Sequence, residues 1–125
     1  MFSFNKSEHL CGETRINQLF AEGKAFIVYP VRVVYMFKSE DTPTVKVLVS
    51  VPKKKFKRAV ARNRLKRLMR ESYRLNKTSL LAFCSEKQLS LQIAFCFVGN
   101  EIVDFQTIES KIKIALGKII QAEQK

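Results

Sequence analysis

The side chains best suited to binding chemistry crowd into one stretch, KKKFKRAVARNRLKRLMRESYR, at positions 53–74. Lys53, Lys54, Lys55, Lys57, Arg58, Arg62, Arg64, Lys66, Arg67, Arg70 and Arg74 supply eleven positive charges against the single acid Glu71. These 22 residues therefore carry +10 of a formal net charge of +12. At about 100° per residue, Ala61, Leu65, Leu68, Met69, Ser72 and Leu75 gather on one side of a helix, and Asn63 and the basic residues cover the rest. A solvated helix face normally mixes signs, because opposite charges four apart support it. Here Arg62, Lys66, Arg70 and Arg74 stand at successive four-residue steps. Each of these like-charge pairs costs about 0.2–0.5 kcal/mol, and Glu71, beside Arg67 and Arg74, relieves little of it. A ridge that repels itself is tolerable where a polyanion neutralises it in use, so the charge points to nucleic acid. Arginine dominates the helix, and its planar fork matches phosphate oxygens. The lysines at 53–57, with Arg58, suit a loop that grips further backbone. Contacts of this kind position a nucleic acid and read little sequence.

A helix whose outer face is largely Arg and Lys is a poor reader of DNA base edges. Single-stranded RNA instead asks for aromatics on which bases stack. Phe20, Tyr35 and Tyr73 are the candidates, with core packing as the competing role for Phe20. Nothing assembles a nuclease. The eleven acids are scattered along the chain, whereas a two-metal site needs carboxylates around ions about 4 Å apart. His9 is the only histidine and reads as a surface residue. Catalytic residues are thus expected to be absent, as is a protein metal site. Cys11, Cys84 and Cys96 are odd in number and far apart, which suggests reduced thiols in a cytosol.

These residues need elements to hold them. A length of 125 residues suggests one domain over 1–125, with 1–12 as a loose N-terminus. GETRINQLFAEG reads as a helix with Ile16, Leu19 and Phe20 on one face, stopped by Gly23. PVRVVYMF and TVKVLVSV read as strands, the second with Val45, Val47, Val49 and Val51 alternating, and the two are expected to form an antiparallel hairpin. The basic helix follows, from about Arg58 to Leu75, and the segment after it has room for more helix. LSLQIAFCFVG is a further strand with Leu89, Leu91, Ile93, Phe95 and Phe97 on one face. An amphipathic helix closes the chain, capped by Asp104 or Thr107, with Ile108, Ile112, Ala115, Leu116 and Ile119 inward. The order is α-β-β-α-β-α, a small α+β domain with helices packed on a sheet. The longest apolar stretch, 26–37, is interrupted by Pro30 and Arg32 and is too short to span a bilayer as a helix. The start has no basic head before a long apolar run, so no secretory signal is read and a cytoplasmic protein is expected.

At AVARNRLKRLMRESYR the sequence resembles the protein subunit of bacterial ribonuclease P, whose signature is an Arg-Asn-Arg helix. Arg62-Asn63-Arg64, then Lys66, Arg67 and Arg70, match that signature without gaps. SVPKKKFKRAV matches the strand and lysine-rich loop before it, and the likeness runs from about Glu13 through Ile120. The resemblance implies an α-β-β-α-β-α fold with a left-handed βαβ crossover, against the usual hand. It implies a ribonucleoprotein that removes the 5′ leader of precursor tRNA, with catalysis in the RNA subunit and Mg²⁺ held mainly by RNA and substrate. The partners would be that catalytic RNA and precursor tRNA, with no membrane and no obligate protein partner. Carried over by position, Arg62, Asn63, Arg64, Lys66, Arg67 and Arg70 would face the RNA subunit. Ile16, Phe20, Tyr35, Ser50 and Lys53 would form a leader cleft between the first helix and the sheet. Lys54, Lys55, Lys57, Arg58 and Arg74 would add phosphate contacts. Ile16 stands where the family usually has an aromatic, which gives it a packing role. The alternative is a ribosomal or other structural RNA-binding protein without a processing role.

Overall fold

The computed structural model describes residues 10, 12–39 and 42–124. In chain order the elements are α1 (Glu13–Glu22), β1 (Lys24–Val28), β2 (Val31–Ser39), β3 (Val45–Ser50), α2 (Ala59–Asn76), α3 (Thr78–Lys87), β4 (Leu89–Phe97) and α4 (Phe105–Gln124). The expected α+β architecture is present, with one more strand and one more helix. β1 is a five-residue strand between Gly23 and the Tyr29–Pro30 turn, whose peptide bond is cis. α3 fills the segment after the basic helix.

The four strands lie in the order β1-β2-β4-β3, which corrects the expected hairpin. β2 pairs antiparallel with β1 and with β4, while β3 pairs in parallel with β4. β4 takes the centre because it is apolar on both sides: Leu91, Ile93, Phe95 and Phe97 on one, Ala94 on the other, all buried. A parallel neighbour requires a crossover, and α2 with α3 supplies it between β3 and β4. The basic helix is thus part of the connection that builds the sheet.

The sheet has two unlike faces, set by strand alternation. On one, the odd-numbered residues of β2, β3 and β4 join Leu65, Met69 and Tyr73 of α2, Leu80 and Phe83 of α3, and Ile108, Ile112 and Ile119 of α4. α1 crosses the other face, where Leu19 packs with Val34 and Ala94. Leu10 belongs to this second cluster and is 4% exposed. Its N–H donates to the Val47 carbonyl at 2.9 Å, covering the open edge of β3. The N-terminus is therefore anchored at Leu10, not loose through 12. The expectations for the preceding residues, and for His9 and Cys11, lie outside the described residues. Cys84 and Cys96 are free thiols, and burial pushes that of Cys84 up to about 11.

The ends of α1 and α4 show how local chemistry fixes the frame. Asp104 Oδ1 accepts the Thr107 N–H at 2.9 Å and caps α4; that hydrogen bonding holds its carboxyl below the ordinary value. Gly23 ends α1 by donating to the Leu19 carbonyl at 2.8 Å. Its φ of −73° is open to any residue, so glycine is required by proximity. A Cβ there would sit 2.5 Å from the Leu19 oxygen and 2.9 Å from the Tyr35 oxygen. Gly23→Ala is therefore expected to destabilise the domain by about 1–3 kcal/mol, the usual range for overpacking, measured by denaturant unfolding. An unchanged midpoint would mean that the α1–β1 junction yields at no cost.

Candidate nucleic-acid interface

The cationic segment is mounted on apolar anchors. Leu65, Met69 and Tyr73 have no exposed surface, and Tyr73 packs on Phe95 with ring centroids 6.1 Å apart. Tyr73 is thus core, which removes it as a stacking candidate. The buried stripe is turned toward Tyr73, and Leu75, expected inside, lies at the exposed margin. Asn63, Arg64 and Arg67 stand exposed, and Lys66 and Arg70 half-buried. The Nε of Arg70 is enclosed without a hydrogen-bond partner among the described residues. Arg74 is drawn aside: its Nε donates to Glu71 Oε1 at 3.0 Å and its Nη2 reaches the same oxygen. Glu71 therefore relieves one end of the ridge and leaves the other end unneutralised.

The lysine loop before α2 is held as firmly as the helix. Phe56 is buried against Phe97, with centroids 5.7 Å apart and rings edge to face. The Phe56 N–H donates to the Pro52 carbonyl at 3.3 Å. Lys55 Nζ donates to the Val98 carbonyl at 2.6 Å. Arg62 completes the arrangement. Its Nη1 donates to the carbonyls of Phe56 and Lys57, both at 2.8 Å. The first arginine of the Arg-Asn-Arg run is thus a brace between helix and loop. Lys53, Lys54, Lys57 and Arg58 project exposed from that fixed backbone.

Of the residues expected in a cleft between α1 and the sheet, Ile16, Phe20 and Ser50 lie on the α1 side and Tyr35 does not. Ile16 is half-buried against Leu19 and Val34, and Phe20, one turn on, is 43% exposed. Ser50 pairs with Cys96, Cys96 with Arg32, and Arg32 with Ile27. This row crosses all four strands on the α1 side and ends at Ser50, three residues before Lys53 in the chain. Tyr35 is not part of it. An odd-numbered residue of β2, it points to the opposite face, is 5% exposed, and lies between Phe26 and Phe37 at 5.9 and 6.0 Å. Burial raises its phenol pKa, and Glu123 adds to the rise. Val34, on the α1 side, is itself buried beneath Leu19. Arg32 is the residue that motif reading missed; alternation along VRVVYMF contains it, once the inward side is known.

Among the described residues no helix is long and apolar enough to cross a membrane. None of their His, Cys, Asp and Glu side chains form a group of three that could hold a metal ion. What the geometry offers is an exposed arginine face and a braced lysine loop beside a half-apolar groove with an open aromatic. That combination suits an RNA with both paired and unpaired parts.

Comparison with known proteins agrees. The Ribonuclease P family model matches residues 4–119. A ribonuclease P protein component from Porphyromonas gingivalis is 50% identical over 119 residues, covering 94% of this chain and 87% of the relative. One from Chlorobium phaeobacteroides is 40% identical over 107 residues, covering 78% and 73%. Among solved structures, the RNase P protein of Staphylococcus aureus superposes with a TM-score of 0.72 at 18% identity, over 91% of this chain and 96% of that one. That of Thermotoga maritima gives 0.68 at 25% identity, over 89% and 96%.

The brace can be tested apart from any RNA. Arg62→Ala is expected to speed amide hydrogen exchange at 53–57 and tryptic cleavage there, with the rest of the sheet unchanged. Arg62→Lys, whose ammonium can also donate to two carbonyls as the single Nη1 does here, should keep part of the protection. Wild-type protection in the alanine variant would show that the Phe56 packing and the Lys55–Val98 bond hold the loop without Arg62.

Proposed function

The chain belongs to the ribonuclease P protein family and is the protein component of that ribonucleoprotein, and on that premise we propose that one domain serves two RNAs with two surfaces. Ribonuclease P is the endoribonuclease that matures tRNA 5′ ends, with catalysis in its RNA subunit. The first surface is the α2 ridge. Asn63, Arg64, Lys66, Arg67 and Arg70 hold the catalytic RNA, mainly through phosphates, while Arg62 fixes the loop and turns its remaining donors outward. Lys53, Lys54, Lys55, Lys57 and Arg58 extend that contact, and Arg74, occupied by Glu71, adds least. The second surface is the groove beside α1. Phe20 stacks an unpaired base of the precursor tRNA leader, Ile16 supplies an apolar wall, and Ser50, Lys53 and Arg32 meet its backbone.

The observation that carries this reading is the shared end of the two surfaces. Ser50 closes the groove and Lys53 opens the loop that leads, through the Arg62 brace, into the ridge. An RNA held on the ridge therefore lies beside the strand held in the groove. Mg²⁺ is expected in the working particle with RNA phosphates as its main ligands.

This reading predicts where the protein matters. Fixed Lys and Arg charges screen phosphate repulsion that free Mg²⁺ would otherwise screen. Precursor-tRNA cleavage by RNA subunit plus protein should exceed that by RNA alone most clearly at low Mg²⁺, with the gain shrinking as Mg²⁺ or monovalent salt rises. Cleavage by RNA-free protein, or no gain at any Mg²⁺ concentration, would refute it.

The two surfaces should also separate by mutation. Arg67→Ala should weaken binding of the RNA subunit and lower the slope of log affinity against log salt by roughly one unit or somewhat less. Phe20→Ala should leave that binding intact and weaken the holoenzyme's hold on precursor tRNA by about 1–3 kcal/mol, sparing mature tRNA. Equal losses for precursor and mature tRNA would make Phe20 a packing residue.

A further inference from the structure

α1 divides its face of the sheet in two. Ile16 and Phe20 look toward the groove, and Arg15 and Gln18, about 150° away around the helix on average, look toward the other side. There they overhang a second hollow of about 290 Å³, walled by Lys38 at the end of β2, Lys46 of β3, and Ser90 and Gln92 of β4. Three cations thus converge on one space, and no carboxylate lines it among the described residues. Gln18 Oε1 accepts from Lys38 Nζ at 3.3 Å, steadying one cation at the rim. Gln92 Oε1 is buried with no hydrogen-bond partner among the described residues, although buried acceptors are normally met.

Arg15 and Lys38 at the rim suit an anion, and the Gln92 oxygen suits a donor. A nucleotide supplies both, as a phosphate and as a ribose hydroxyl or base amino group. We propose that this hollow is a second nucleotide site for single-stranded RNA, on the far side of α1 from the leader groove. It rests on the reading of the protein as the RNA-binding partner of ribonuclease P. α1 with its side chains is about 10 Å across, so a strand leaving the groove meets the hollow after one helix width. Two sources share this chemistry: the distal part of a long leader, and an unpaired segment of the RNA subunit.

The test uses the full chain carrying Arg15→Gln and Lys38→Gln together. It is assayed with the RNA subunit alone, and as holoenzyme with precursor tRNA bearing a long leader, a short leader, or none. If the leader is the source, the long-leader substrate alone loses affinity, and its log–log salt slope falls by about 0.7 per lost contact. If the RNA subunit is the source, the loss appears in its own binding and is independent of leader length. No loss in either arm overturns the site. So does an equal loss when two α4 lysines, Lys111 and Lys113, are changed to glutamine instead, because that would be net charge and not a site. Phe20→Ala run in parallel keeps the readings apart: if it discriminates by leader and the double variant does nothing, the hollow fails and the groove stands. The converse result removes the groove alone.

Discussion

Like charges must be held side by side against their own repulsion, and this constraint governs the rest of the molecule. The segment 53–74 cannot be stabilised by the ion pairs that ordinarily lace a surface helix, because Glu71 is its only acid. Burial has to do it. Leu65, Met69 and Tyr73 are fully enclosed on the helix side, and Phe56 is enclosed beneath the loop. Fully burying side chains of this size contributes about 1.5–3 kcal/mol each, against tenths of a kcal/mol for each repelling pair. The apolar term wins comfortably, which is why a self-repelling surface can still be rigid.

Rigidity is what makes that surface useful. Flexible lysines on a mobile loop would lose conformational entropy each time they gripped a phosphate backbone. Here the backbone is already fixed by Phe56, by Lys55 on the Val98 carbonyl, and by Arg62 on two carbonyls of the loop. Arg62 shows a charged residue in a binding motif acting partly inward. Its guanidinium adds to the field of the ridge and also shapes the loop from which other cations project.

The opposite face follows a different logic. Because α1 is pinned by Leu19 below and by the close approach at Gly23, it neither covers the sheet nor leaves it open. It lies across the middle and leaves a space on each flank. One flank is apolar and aromatic at Ile16 and Phe20; the other is cationic at Arg15, Lys38 and Lys46. Neighbouring positions of a single helix thus meet different chemistry, because 3.6 residues per turn send them to opposite sides.

The sequence by itself determined whatever depends on short spacing. The charge ridge, the inward valines of β3, the inward row of β4, the core stripe of α4 and the Asp104 cap are all local patterns with one period each, and the structure keeps them. The Arg-Asn-Arg run with its preceding lysines was equally legible, since it is contiguous. Tertiary structure decided what depends on partners far apart in the chain. β2 and β3 have the pattern of a hairpin, and only the doubly buried β4 between them, brought in by the α2–α3 crossover, shows that they never meet. Once β4 sets the register, the inward side of β2 follows, so that Tyr35 belongs to the larger core, Val34 packs beneath α1, and Arg32 lies open on that same side. Alternation tells which residues share a face, but not which face is which, because a strand turned over has the same period. That choice belongs to the packing of the whole domain.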